Sequence, residues 1–415
     1  MEFWIEGMFM EYRVDLRSGK NVSLLGFGAM RLKNKGSTID MNLATEQIKY
    51  AVDHGVNYID TAYLYGNGSG SNERALGEII ENLNLREKVF ISTKMNRMII
   101  HSKQDMEEMF NNQLDNLRTS YIDYYFLHNI ISYNDVIKLI DCGLLEFIED
   151  KKAKGHIINM GFSFHGSLDD FKKILDLYDW DVTLLQYNYL DNNMQAGLEG
   201  IKLANQRDMS VIIMEPLKGG LLAGNMPMEV TNLIEKSGTE RSNADLAFSW
   251  LYDTPEITCV LSGMNSLEMV KENIRIVDNH LINPLNAKEL NLINQIKDVL
   301  IRLNEINCTG CNYCMPCPQQ INIPAIFKYY NDKHLFPEDK TFGIHHTFVL
   351  YSANILGVSG DAHDASLCVD CGLCTSKCPQ QLDIPSLIRK VDNDYKGKLV
   401  RPFIPFLKKI MRYVL

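Results

Sequence analysis

The sequence predicts an α/β protein in which a (β/α)8 barrel precedes a small, mostly helical, cysteine-rich domain. Three observations carry that prediction. Between about Val22 and Val277, eight short β-type runs alternate with longer segments of helical apolar spacing, the pattern of a parallel sheet. No G-x-G-x-x-G follows the first run, so an open doubly wound sheet is the runner-up to a closed barrel. Eight of the ten cysteines fall between Cys308 and Cys378, where the composition changes sharply.

Taken in order, the chain opens on MEFWIEGMF, with acids where a secretory signal would carry Lys or Arg. Residues 1–9, ahead of Met10-Glu-Tyr-Arg, are read as an appendage, and the barrel domain as 10–304. Its strand candidates are SLLGF (23–27), NYID (57–60), VFIST (89–93), DYYFLH (123–128), HIINMGFS (156–163), VTLLQ (182–186), SVIIM (210–214) and ITCVL (257–261). All but the first follow helical patterns such as ATEQIKYAVDHG or ERALGEIIENL. A further helix, about Asn286 to Asn304, leads into the cysteine-rich domain, 305–395. That domain repeats a small unit, since CPQQINIP and CPQQLDIP each close a cysteine motif. The last stretch, 396–415, holds six basic residues and no acids. Pro402 and Pro405 confine any helix there to roughly Pro405 onward. This tail reads first as packing on its own acidic chain, and second as a docking strip for a partner protein, such as an acidic redox partner, or for an anionic membrane.

Composition sets outer limits. The 415 residues are 46% apolar and 23% charged, ordinary for a globular protein. A net charge of −10 argues against a general nucleic-acid binder. No uncharged run is apolar enough for a transmembrane segment. Without an export signal a cytoplasmic address is the default, and crowded cysteines there favour a metal site over a disulfide scaffold. Cys142 and Cys259, set among apolar residues, read as inert core thiols.

Asp60, Tyr65, Lys94 and His128 stand at or just beyond the C-terminal ends of strands two, three and four, the rim where barrel enzymes gather their chemistry. Each alone has a bland alternative as a cap, a loop residue or packing. Together they suit carbonyl reduction. A neighbouring ammonium favours the phenolate of a tyrosine and eases release of its proton. Asp60 would hold Lys94, His128 would donate to a carbonyl oxygen gaining charge, and Tyr65 would deliver the proton.

These residues lie in LLGFGAMRL, NYIDTAYLYGNG, ISTKM and DYYFLHN, and over about Met10 to Val277 the sequence resembles the aldo/keto reductase family. The resemblance implies the TIM barrel, the catalytic roles of Asp60, Tyr65, Lys94 and His128, and a nicotinamide cofactor across the barrel mouth. Tyr63 is read as packing. Ser163 and Gln186 would hold the carboxamide. Met214 would take the place of the stacking aromatic. Met214, Pro216, Leu217 and Gly219 lie in the segment that would wrap the pyrophosphate. Glu272 and Asn273 would approach adenine. Ser163 is followed by Phe164 where the family has Asn, and its basic grips on the 2′-phosphate are Gly263 and Met269 here. NADP(H) and NAD(H) both stay open. Variable loops such as Asn129–Val136 and 224–240 would set the substrate.

The second cysteine motif, Cys368-x2-Cys371-x2-Cys374-x3-Cys378-Pro379, is the bacterial ferredoxin run for [4Fe–4S] clusters. The first, Cys308-x2-Cys311-x2-Cys314-x2-Cys317-Pro318, is one residue shorter before its last Cys. Zinc is the structural alternative. By the ferredoxin crossover rule Cys308, Cys311, Cys314 and Cys378 hold one cluster, and Cys368, Cys371, Cys374 and Cys317 the other. The spacing of about fifty residues between motifs resembles helical, dicluster ferredoxin domains. Two functions follow as expectations. One is an NAD(P)-linked reductase of a small carbonyl compound with two [4Fe–4S] clusters. The other is an electron-transfer subunit whose barrel does not bind nicotinamide productively. Joining hydride to one-electron chemistry calls for a flavin or a partner, and no flavin motif is present.

Overall fold

The computed structural model describes residues 10–400, except 37, 67–68, 131–132, 166–167, 193–194, 221, 225, 304, 309–312, 336–339, 342–343, 346, 349–350, 353–354 and 357–361. The appendage 1–9, the tail beyond Val400 and Cys311 lie outside them. The chain divides into two compact units, 1–217 with 241–290, and 218–240 with 291–415. The segment 218–240 thus groups with the cysteine-rich part, whereas the boundary drawn from sequence puts it in the barrel.

In the first unit eight parallel strands close into a barrel: β1 (Leu25–Gly28), β2 (Tyr58–Asp60), β3 (Phe90–Met95), β4 (Ile122–Ile130), β5 (Ile157–Phe164), β6 (Val182–Gln186), β7 (Ser210–Met214) and β8 (Cys259–Ser262). Neighbours pair in sequence order, and β8 returns to β1 with Ser262 opposite Phe27. The helices that cross between strands are α1 (Met41–Asp53), α2 (Ser71–Asn82), α3 (Lys103–Leu117), α4 (Tyr133–Asp141), α5 (Leu144–Ala153), α6 (Leu168–Leu175) and α7 (Gly197–Asn205). Alternate strand residues fill the barrel, including Tyr58, Tyr124, Phe126, Leu184, Ile212 and Leu261. Gly161 is required by packing, because a Cβ there would meet the Val182 carbonyl at 1.9 Å.

A hairpin, Tyr12–Val14 paired with Asn21–Ser23, covers the end where the strands begin. Its buried Asp15 accepts from Tyr124 Oη at 3.0 Å and Ser210 Oγ at 2.8 Å. Arg13 donates to the carbonyls of Thr254 and Ile257 just before β8, both at 2.7 Å. The run SLLGF is therefore split: Ser23 ends the hairpin and the barrel strand begins at Leu25.

The second unit holds α8 (Met228–Ser237); α9 (Asn243–Tyr252) and α10 (Leu267–Ile282) belong to the first. Beyond them run α11 (Ala287–Leu303, in the second unit from Asn291), α12 (Ile323–Leu335), the short α13 (Leu373–Ser376) and α14 (Ile384–Val400). The sequence duplication is also a structural one. Gln320 and Gln381 both take left-handed φ, 59° and 53°, and their N–H groups bond back to Cys317 at 2.9 Å and Cys378 at 3.0 Å. Each repeat then enters a helix through Ile-Pro, with proline in the first turn where its missing N–H costs nothing. Ile321, Ile326, Phe327, Ile384, Ile388, Val391 and Tyr395 build the shared core. The last helix runs into the basic tail as far as Val400, ahead of the position the prolines suggested.

Candidate functional site

The ends of β2, β3 and β4 bring the four rim residues together. Lys94, 1% exposed, donates from Nζ to both oxygens of Asp60 at 2.6 and 2.7 Å and to the Thr61 carbonyl at 2.7 Å. All three ammonium protons are thus used. Ser92 Oγ adds a 2.6 Å bond to Asp60 Oδ1. Tyr65 stands half-buried above, with Lys94 Nζ 4.7 Å from its ring centroid and its hydroxyl 3.5 Å from Asp60 Oδ2. The His128 ring meets Tyr65 edge-on at 6.1 Å.

Electrostatics follow from burial. Desolvation lowers the Lys94 pKa, and the Asp60 carboxylate opposes it. His128 is pushed well below the usual histidine range, first by burial and then by Lys94, His165 and Arg97. It is therefore a neutral imidazole at neutral pH, able to donate one N–H without carrying charge.

Sequence reasoning missed the layer behind these groups. Buried Glu73 on α2 accepts from Thr93 Oγ1 and Gln113 Nε2, each at 2.6 Å, and from Asn116 Nδ2 at 3.2 Å. Gln113 also donates to the Lys94 carbonyl at 3.0 Å and accepts from Tyr125 Oη at 2.7 Å. A glutamate in a first helical turn reads in sequence as a complement to the helix dipole, so no local signal marks it as buried.

The expected nucleotide contacts are dispersed. Gln186, 2% exposed, donates from Nε2 to Asp191 at 3.1 Å, and its buried Oε1 has no partner among the described residues. An orphaned acceptor of this kind fits the amide N–H of a carboxamide. Ser163 Oγ accepts from Asn129 N at 2.7 Å and reaches the Leu127 carbonyl at 3.4 Å. Met214 packs against the barrel core at the end of β7. Pro216 and Leu217 follow it in the first unit, while Gly219 (φ 71°) falls in the second. Asn273 donates to Ser262 Oγ at 2.8 Å, tying α10 to β8, and Glu272 accepts from Ser242 Oγ at 3.0 Å.

In the second unit Cys378 is part of the core, and Cys308, Cys314, Cys317, Cys368 and Cys374 pack against it. Cys371 is exposed, and none of the described cysteines is in a disulfide. Burial raises the Cys374 thiol pKa, with a smaller contribution from Cys317. Among the described residues no three His, Cys, Asp or Glu side chains converge tightly enough to hold a metal ion. The donor chemistry, soft thiols from two motifs around one core, fits iron–sulfur ligation.

Comparison with known proteins gives this arrangement its family. Residues 24–298 match the Aldo/keto reductase family, and 307–384 match a 4Fe-4S dicluster domain. The chain belongs to the aldo/keto reductase family. It is an oxidoreductase that carries a 4Fe-4S dicluster domain at its C-terminal end. The aldo-keto reductase YhdN of Bacillus subtilis is 27% identical over 270 residues, 62% of this chain and 75% of that protein. The holo form of aldo-keto reductase AKR11C1 from Bacillus halodurans superposes with a TM-score of 0.59 at 28% identity, covering 69% of this chain and 96% of that one. An aldo-keto reductase from Klebsiella pneumoniae, solved in complex with NADPH, shares the fold at 21% identity and a TM-score of 0.56, covering 70% and 95%. Among the described residues no helix is long and apolar enough to cross a membrane.

Proposed function

We propose that this aldo/keto reductase reduces a small carbonyl compound with a nicotinamide cofactor, and that its C-terminal domain carries two [4Fe–4S] clusters. The observation that carries the reading is the Lys94 ammonium, fixed on both Asp60 oxygens and 4.7 Å from the Tyr65 ring centroid. A bound dinucleotide supplies hydride to the carbonyl carbon. Tyr65 gives its hydroxyl proton to the carbonyl oxygen, and Lys94 stabilises the phenolate left behind. Asp60 holds Lys94 against the pull of burial. Neutral His128 donates a hydrogen bond to the same oxygen as it gains charge. Gln186 Oε1 and Ser163 would hold the carboxamide, with Met214, Pro216, Leu217, Gly219, Glu272 and Asn273 towards the rest of the dinucleotide. The NADPH seen on the related Klebsiella protein supports the cofactor class.

Cys308, Cys311, Cys314 and Cys378 would hold one cluster, and Cys368, Cys371, Cys374 and Cys317 the other. Cys317 and Cys374, from different motifs, pack against the same core, which supports that crossed assignment. Clusters supply one-electron transfer, so a redox partner protein belongs to the reading, and free thiol ligands suit a reducing cytoplasm. The functional division is proposed as barrel 10–304 and cluster domain 305–395, flanked by 1–9 and 396–415.

Gly263 and Met269, which carry no charge, favour a second reading, an electron-transfer subunit without productive nicotinamide binding. Titrating NADPH and NADH by fluorescence decides between the two. Saturable binding supports the reductase, and none with either dinucleotide removes it. Anaerobic reconstitution with fewer than about six irons per chain would sink the two-cluster assignment.

A further inference from the structure

The two cysteine repeats close on the same four residues, Cys-Pro-Gln-Gln, and the structure buries them differently. In the first repeat Pro318 and Gln319 are exposed. In the second, Cys378, Pro379 and Gln380 are all buried, with Cys378 in the core of the unit and Gln380 at 9% exposure. Burying a proline ring is favourable in itself. Burying a primary amide is not, because two N–H donors and a carbonyl oxygen leave water behind.

Gln380 does not recover those bonds from the polypeptide. Neither its Nε2 nor its Oε1 has a partner among the described residues. The main chain around it closes on itself: Cys378 N donates to the Thr375 carbonyl at 3.1 Å, and Gln381 N to the Cys378 carbonyl at 3.0 Å. Pro379 has no N–H to give. Buried polar groups are nearly always paired, so an amide orphaned at both ends marks a partner outside the chain. With both ends unpaired, it is free to turn its NH2 in either direction. The chemistry beside Cys378 supplies the partner. A [4Fe–4S] cluster held by thiolates is anionic and offers sulfur acceptors, so it satisfies an amide through N–H and not through the carbonyl.

We propose that Gln380 donates a side-chain N–H to a sulfur of the cluster that Cys378 ligates, and thereby raises the reduction potential of that cluster alone. This rests on the two-cluster reading above. The reduced cluster carries one more negative charge than the oxidised one, so its sulfurs are the better acceptors and a donor favours it. Burial around Cys378 works the other way, against the more charged form. The Gln380 amide offsets that penalty where the chain closes in the core. In the first repeat the equivalent amide, Gln319, stays in solvent.

The test is an anaerobic redox titration of the reconstituted full chain, followed by EPR, for wild type, Gln380→Met and Gln319→Met. Methionine keeps the length of the side chain and removes the amide. Gln380→Met should lower one midpoint by ~10-fold in the reduction equilibrium, which is ~59 mV for one electron. Its other midpoint, and both midpoints of Gln319→Met, should match wild type. Two unmoved midpoints in Gln380→Met overturn the proposal, even with a lower melting temperature, because a water or packing then accounts for the amide. An equal fall of both midpoints overturns it too, as does the same fall in Gln319→Met. If Gln380→Met does not load iron, pulsed EPR of reduced wild type and Gln319→Met, each 15N-labelled in the glutamine side chains, decides. A nitrogen coupling to a cluster in both supports the proposal. No coupling in wild type, or its loss in Gln319→Met, overturns it. Wild type with fewer than about six irons removes the two-cluster reading first, before any variant is made.

Discussion

Lys94 in the barrel and Cys374 in the C-terminal unit are both driven by burial towards their neutral forms, but their neighbours answer differently. Lys94 meets three acceptor atoms, two of them the oxygens of the Asp60 carboxylate. Cys374 meets a second thiol, Cys317, which adds to the push. The barrel therefore supplies its own counter-charges, whereas the cysteine-rich unit brings like groups together around one core. The cores repeat the contrast. The barrel is filled by side chains of eight strands, while in the second unit Cys378 and five further thiols are part of the core or its shell.

The sharpest way to break this comparison is to take the metal away. Anaerobic iron removal should abolish the calorimetric transition of the second unit and leave that of the barrel within a few degrees, because ligand binding and folding are coupled in small metal domains. Retention of both transitions would make the thiols ordinary core residues. The barrel's counterpart test is Tyr65→Phe, which keeps the ring and removes the proton donor. Turnover should fall ~10²–10⁴-fold with cofactor affinity nearly unchanged. Lys94→Met should act alike.

A smaller effect should appear in the barrel's stability at low pH. Burial lowers the His165 pKa to about 4 and pushes His128 well below 6.5. Above pH 6.5 both states bind no proton at these groups. Below it the unfolded chain takes up protons and the folded barrel does not, so stability falls as pH drops towards each folded pKa. The slope is about 1.4 kcal/mol per pH unit for each histidine in that window. Calorimetry of the barrel transition at pH 7.5 and 5 should show the drop, and His165→Gln should make it shallower. Identical slopes would remove His165 from the account.

What could be read beforehand differs between the two regions as well. VTLLQ and SVIIM became strands residue for residue, since apolar β-branched runs between helical patterns have one use in a barrel. ITCVL shifted to Cys259–Ser262, because Pro255 and the turn after it delay the strand. The rim residues Asp60, Tyr65, Lys94 and His128 were legible because strand ends locate them. Glu73 was not, since its burial depends on the approach of α3. Cysteine spacing marked the candidate ligands, while the packing of thiols from both motifs against one core needed the fold.

Glu73 offers the finest probe of the barrel's self-sufficiency. The groups facing Lys94 are Asp60 from β2, the Tyr65 ring, neutral His128 from β4 and Glu73 from α2, whose charge favours the ammonium at longer range. Glu73→Gln keeps the shape and removes that charge. Its new amide would face Asn116 Nδ2, donor to donor, unless the Asn116 amide turns over. The stability cost should be on the order of 1 kcal/mol. The catalytic effect should be a few-fold loss near neutral pH, and it should move the basic limb of the pH–rate profile to lower pH, because Lys94 releases its proton sooner. A merely structural role predicts a lower melting temperature with that limb unmoved. If the limb stays in place, Asp60 alone sets the charge of Lys94, and the Glu73 network is scaffolding for Gln113 and the β3 backbone.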